Sequence, residues 1–117
     1  MSKQLASLRR RALIKQNYRC CYCRYPVWDR DLQAFVAIYR HSIPEARLRQ
    51  GTAEHLIPQC EGGTNAEQNI AVACRFCNAT RHRARSPLNP TQFLNYVQQR
   101  VACGRWLPFR RQSDRTS

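Results

Sequence analysis

Acidic residues are scarce in this chain: 7 stand against 20 basic ones in 117 residues, for a formal charge of +13. So lopsided a balance argues against a cationic partner and favours a polyanion, either nucleic acid or an anionic membrane surface. Lysine is nearly missing too, because 18 of the 20 basic residues are arginine. The guanidinium fork binds phosphate oxygens bidentately, which tilts the choice towards phosphate. No apolar run approaches the roughly 18–20 residues of a membrane span, and no internal repeat or low-complexity segment interrupts the chain. Met1-Ser2-Lys3-Gln4-Leu5 lacks the apolar core of a signal peptide. The length suits one domain without room for two independent cores, and a domain this small gains from a metal clip.

Cysteine, by contrast, is plentiful at seven. An odd count without a signal peptide argues against a secreted disulfide scaffold and for a reduced, cytoplasmic setting. Two Cys-x-x-Cys knuckles, Cys20-Cys23 and Cys74-Cys77, have the spacing of a tetrahedral zinc site with four thiolate ligands. Cys21 would make Cys-x-Cys, which fits a knuckle less well. A closed four-cysteine site leaves no coordination position for substrate, so this zinc is expected to be structural. Cys60 and Cys103 remain as free thiols or small core residues.

Apolar spacing predicts a helix over residues 4–16, with Leu5, Leu8, Ala12 and Leu13 as its stripe. Residues 32–39 suit a strand or a helix equally. Ser42-Ile43-Pro44-Glu45 has the capping-box pattern, predicting a short helix over 43–50 ended by Gly51. Thr52 to Pro58 reads as a strand stopped by proline, 59–68 as a polar loop with Gly62-Gly63, and 69–73 as the returning strand. Helices are expected from Asn78 to about Arg85 and from Asn89-Pro90 to Gly104, and a frayed tail over 110–117. Trp28, Trp106 and Phe109 are expected to pack, and His41 to lie in a loop.

Between the knuckles stands Glu54-His55, and Asn78 directly follows the last cysteine. Neighbouring helical residues differ by about 100° in direction, so Cys77 can face zinc while Asn78 faces elsewhere. On a regular strand Glu54 and His55 point to opposite faces, so a bend near Pro58 is needed to aim both at one centre. A neutral histidine can take a proton from water near neutral pH. Glu54 and Asn78 offer hard oxygen donors for a divalent ion that would stabilise a phosphoryl transition state. Asn78, Arg81, His82 and Arg85 share helical spacing and form one polar, basic face.

At these residues the chain resembles the HNH endonucleases, whose core is the ββα-metal unit. The matching text is Ala53-Glu54-His55-Leu56-Ile57-Pro58, Gly62-Gly63, Asn69-Ile70 and Cys74-Arg75-Phe76-Cys77-Asn78-Ala79-Thr80-Arg81, with Tyr18 to Cys23 upstream. The resemblance spans roughly residues 10–85. It implies an α+β fold: a small single domain over 1–109, with a ββα core over 52–85, structural zinc and flanking N- and C-terminal helices. It implies His55 as general base, Glu54 and Asn78 as ligands of a catalytic Mg²⁺ or Mn²⁺, and Asn69 ordering the loop between strands. Glu54 replaces the commoner Asp, Asn78 stands where many members have His, and Arg81 stands where Lys is frequent. Arg24 occupies a knuckle position often held by Gly, and the segment between Asp29 and Gly51 offers no motif to which a family role carries over.

The expected activity is metal-dependent hydrolysis of DNA phosphodiesters, leaving 5′-phosphate and 3′-hydroxyl ends, with RNA also open as substrate. Arg9, Arg10, Arg11, Arg81 and Arg85 are the candidate backbone-phosphate contacts, giving affinity with little sequence reading. One such centre cuts one strand, so the protein would act as a monomer making single cuts or as a homodimer. The rival is a non-catalytic, zinc-containing nucleic-acid-binding module. An anionic-membrane binder has only charge in its favour.

Overall fold

The computed structural model describes residues 3–107; the tail expected over 110–117 and the packing role expected of Phe109 lie outside the described residues. The elements are helices α1 (Lys3–Lys15), α2 (Leu32–Tyr39) and α3 (Ile43–Arg47), strands β1 (Gly51–His55) and β2 (Ile70–Cys74), and helices α4 (Arg75–Arg83) and α5 (Pro90–Ala102). This is the expected α+β layout, with one two-stranded antiparallel sheet running from the Gly51–Cys74 pair to the His55–Ile70 pair. None of the helices among the described residues is long and apolar enough to cross a membrane.

α1 buries Leu8, Ala12 and Leu13 of the predicted stripe and leaves Leu5 half-buried; Ala12 and Leu13 join the core cluster that holds Val72. Just past its end, the Gln16 amide bonds both the N–H and the C=O of Val72, each at 2.9 Å. The side chain thereby pairs with the free edge of β2 as a strand residue would. Cys21 also donates its N–H to Val72 O at 2.9 Å. The first knuckle is thus docked on the strand that ends in the second.

The ambiguous segment is helical. Asp31 caps α2 by accepting from Ala34 N at 2.9 Å, a cap a strand would not use. His41 lies in the following loop, as expected, yet it is buried and stacked on Phe35 and Tyr39 beside Glu45. The capping box of Ser42 and Glu45 is formed at α3. That helix stops at Arg47, so Gly51 does not end it; Gly51 instead begins β1, buried against Leu13 and Val72. Trp28 packs as expected and donates its indole N–H to Ala46 O at 2.7 Å.

β1 ends three residues before Pro58, earlier than expected. The Asn69 side chain explains this: its Oδ1 accepts from Ile57 N (2.8 Å) and its Nδ2 donates to Ile57 O (3.1 Å) and Thr64 O (2.8 Å). A side-chain amide satisfies the backbone that a longer strand would have paired. Gly63 is required inside this loop, because a Cβ there would lie 1.6 Å from Ile57 O.

α4 begins at Arg75 rather than Asn78, because the Cys74 sulfur caps it by accepting from Cys77 N at 3.3 Å. The second knuckle is therefore the first turn of the helix. α5 has the predicted cap at Asn89, buries Phe93 and Val97, and is followed by Gly104 at φ 71°. In the first knuckle Arg24 holds the left-handed region at φ 67°, where a Cβ costs about 1–2 kcal/mol. Its side chain is exposed. Arg24→Gly should therefore raise stability by about 0.5–1 kcal/mol after the loss of chain entropy, measured as a higher urea midpoint with unchanged slope.

Candidate active site

Four buried sulfurs form one pole of the site. The ligand atoms of Cys20, Cys23, Cys74 and Cys77 all lie within 4.8 Å of one another. Cys23 Sγ and Cys74 Sγ are 3.9 Å apart, close to the edge of about 3.8 Å of a tetrahedron with zinc–sulfur bonds of about 2.3 Å. The first sulfur of each knuckle accepts backbone N–H bonds: Cys20 from Tyr22 (3.3 Å) and Cys23 (3.5 Å), Cys74 from Cys77 (3.3 Å). Trp106 adds its indole N–H to Cys77 Sγ at 3.2 Å. Burial pushes the Cys23 and Cys77 thiols up, whereas Cys20 goes down because hydrogen bonds from neighbouring cysteines outweigh its own burial. A bound dication lets the whole set act as thiolates, so the cluster can bind zinc. Cys21 is half-buried, and Cys60 and Cys103 are exposed rather than core residues.

The second pole is built on Glu54, which is 1% exposed. Its two oxygens have different surroundings. Oε2 accepts from Tyr22 Oη at 2.8 Å and from Arg81 Nη1 at 2.7 Å. Oε1 lies 2.9 Å from His82 Nε2, on a side chain that is 33% exposed. One oxygen is bonded to buried partners and the other to a partly exposed imidazole. The Tyr22 phenol is held above its ordinary pKa by burial first and then by the Glu54 charge, so it stays a donor.

Asn78, one helical turn before His82, donates Nδ2 to Thr52 Oγ1 (3.0 Å) and Ala53 O (3.2 Å). Both bonds use the amide nitrogen, and the carbonyl oxygen is the group left for a ligand. Glu54 Oε1 and His82 Nε2 are within hydrogen-bond distance at 2.9 Å, with Asn78 one turn before His82 on the same helix.

His55 has a different partner. Its Nε2 lies 2.8 Å from Asn65 Oδ1, and no hydrogen bond among the described residues joins its ring to Glu54 or Asn78. As donor, Nε2 leaves Nδ1 as the basic nitrogen. Asn65 is held near by the loop that Asn69 ties to Ile57 and Thr64.

The candidate phosphate contacts separate by placement. Arg10 and Arg85 are exposed. Arg11 is exposed and joins Lys15 on Glu67, whose carboxyl is held below its usual value first by the Lys15 hydrogen bond. Arg9 is instead tied to Asp29, with both side chains largely buried. Arg81 is interior, its side chain 2% exposed and its guanidinium bonded to Glu54, Tyr22, Leu56 O and Leu88 O. Neither Arg9 nor Arg81 presents its charge to solvent as the helix periodicity suggested, because each meets a carboxylate from a distant part of the chain.

Sequence reasoning did not single out Tyr22, Asn65 or Thr52 for the site. Tyr22 sits between two zinc ligands, where it reads as knuckle filling. Asn65 follows Gly62-Gly63-Thr64 and reads as a turn residue.

Because Tyr22 belongs to the first knuckle, releasing that knuckle also removes one of the donors that hold Glu54. Cys23→Ser should lower zinc content and destabilise the fold by several kcal/mol, checked by metal analysis and thermal unfolding followed by circular dichroism.

A model of the family described as HNH endonuclease matches residues 20–84, more than half of the 117 residues. Neither the curated proteins nor the solved structures supplied a match. The matched segment takes in both knuckles, Glu54, His55, Asn69, Asn78 and His82, and on that span the chain belongs to the HNH endonuclease family.

Proposed function

We propose that this protein is a metal-dependent endonuclease that hydrolyses DNA phosphodiester bonds. Support comes above all from the divided environment of Glu54: Oε2 is fixed by Tyr22 and Arg81, while Oε1 stands 2.9 Å from His82 Nε2. In the free protein that contact is a hydrogen bond; an ion displacing the bridging proton would take both atoms as ligands. Glu54, Asn78 and His82 would hold Mg²⁺ or Mn²⁺, and zinc would occupy the four cysteines. When bound, the divalent ion supplies positive charge for the developing phosphorane-like oxygens and for the departing 3′ oxygen.

The protein's own groups do the rest. His55, donating Nε2–H to Asn65 Oδ1, presents Nδ1 to a water and takes its proton during in-line attack on phosphorus. Asn65 fixes the tautomer and the ring plane. Asn69 acts one step further away, by keeping the loop that carries Asn65 in register with Ile57. The exposed Arg10 and Arg85 hold backbone phosphates, giving affinity without base reading. The products carry 5′-phosphate and 3′-hydroxyl ends. Each centre cuts one strand, so a double-strand break takes two events or a homodimer. The rival, a non-catalytic zinc-containing nucleic-acid-binding module, predicts binding without cleavage.

Supercoiled plasmid separates the two. The protein should nick it with Mg²⁺ or Mn²⁺ and stop when EDTA removes the ion. His55→Ala should lower the rate by about 10²–10⁴-fold; an intact plasmid under every metal, or equal cutting by His55→Ala, favours the binding module. Asn65→Ala should lower kcat by about 10–100-fold while DNA affinity stays unchanged, because it disturbs the direction of the base and not the phosphate contacts. Single-turnover cleavage with a parallel binding titration checks this.

A further inference from the structure

Arg81 is enclosed on every side. Nε donates to Leu88 O at 3.0 Å, Nη2 to Leu56 O at 3.1 Å, and Nη1 to Glu54 Oε2 at 2.7 Å and Tyr22 Oη at 3.2 Å. Turning outward towards DNA would leave Glu54 buried and uncompensated, a strongly unfavourable state. A guanidinium does not lose its proton in a protein. The positive charge is therefore fixed beside the carboxylate.

This fixed charge alters the electrostatics of the ion site. Glu54, Asn78 and His82 together carry one negative charge, and Arg81 cancels it. Affinity of oxygen-ligand sites rises with the number of charged ligands. A dication entering here meets a neutral cluster within a chain of formal charge +13. The ligands themselves supply no net negative charge to the ion once Arg81 is counted, and a DNA phosphate is an anion that can coordinate the ion directly.

We propose that Arg81 is a positioning residue that serves as internal counter-ion to Glu54, so that the divalent ion and a DNA phosphate bind as a coupled pair. It rests on the ion site described under Proposed function. Each partner raises the affinity of the other by the same factor, as linkage requires. The free protein holds the ion weakly, and the centre is completed on DNA.

His55→Ala protein, in which cleavage is slowed by about 10²–10⁴-fold, allows the coupling to be measured before the duplex is consumed. Mn²⁺ binding is followed by the electron paramagnetic resonance signal of the free ion. DNA binding is followed by the anisotropy of a short fluorescein-labelled duplex, with and without Mn²⁺ at constant ionic strength. Mn²⁺ should tighten duplex binding by about tenfold or more, and Glu54→Gln should abolish the gain. The sign is diagnostic, since Mn²⁺ acting only as a counter-ion weakens protein–DNA binding. Arg81→Gln in the same background should bind Mn²⁺ about tenfold more tightly without DNA. Asn78→Asp adds a carboxylate and leaves Arg81 in place, so it should show the same gain even if Arg81→Gln does not fold. Duplex affinity unchanged or weakened by Mn²⁺, with the ion still taken up by the protein alone, overturns the coupling and leaves the ion site standing. Unchanged Mn²⁺ affinity in the folded variants overturns the charge-balance role of Arg81. No uptake of Mn²⁺ with or without DNA overturns the ion site and the coupling together.

Discussion

The buried Glu54 carboxylate is the point on which the architecture turns. It receives Tyr22 from the first knuckle, Arg81 and His82 from α4, and is itself carried by β1. An ionised carboxylate away from water is tolerated only when its lone pairs are met by donors and its charge by a cation. Those demands bring three distant parts of the chain to one place. Removing any donor leaves the others directed at an unbalanced charge, so the site and the fold around it are stabilised together.

Under the proposed function the four-cysteine cluster and the Glu54 centre would divide the metal chemistry by softness. Enclosed thiolates suit zinc, whereas the carboxylate and amide oxygens of Glu54 and Asn78 suit a harder ion. They share scaffolding. Tyr22 lies between two cysteine ligands and also reaches Glu54; Asn78 follows Cys77 on the same helix. Because the Cys74 sulfur caps α4, the knuckle also determines where that helix starts and hence the direction of Asn78 and His82.

Much of the fold was legible in the sequence. The stripe of α1, the capping boxes at Ser42 and Asn89 and the paired strands rest on local spacing and on caps a few residues apart. The structure departs from local spacing where a side chain takes up backbone or charge that periodicity does not register. β1 is shorter than its apolar run because Asn69 takes the backbone of Ile57. α4 is longer because a cysteine sulfur serves as its cap. The basic face of Arg81, His82 and Arg85 is correct as periodicity, yet Arg81 turns inward because Glu54 waits 27 residues away in sequence.

The sequence by itself determined the family, the ligand set of the cysteine clip and the identity of Glu54, His55, Asn69 and Asn78 as the residues of interest, because each depends on residue type and short spacing. Only the tertiary structure decided which partners those residues meet. It separated Arg9 and Arg81, paired within the protein, from Arg10 and Arg85, exposed to solvent. It also placed Asn65 against His55, and Tyr22 and His82 against different oxygens of Glu54. Charge and hydrogen bonding act through space, and the distances that govern them are created only when the chain closes on itself.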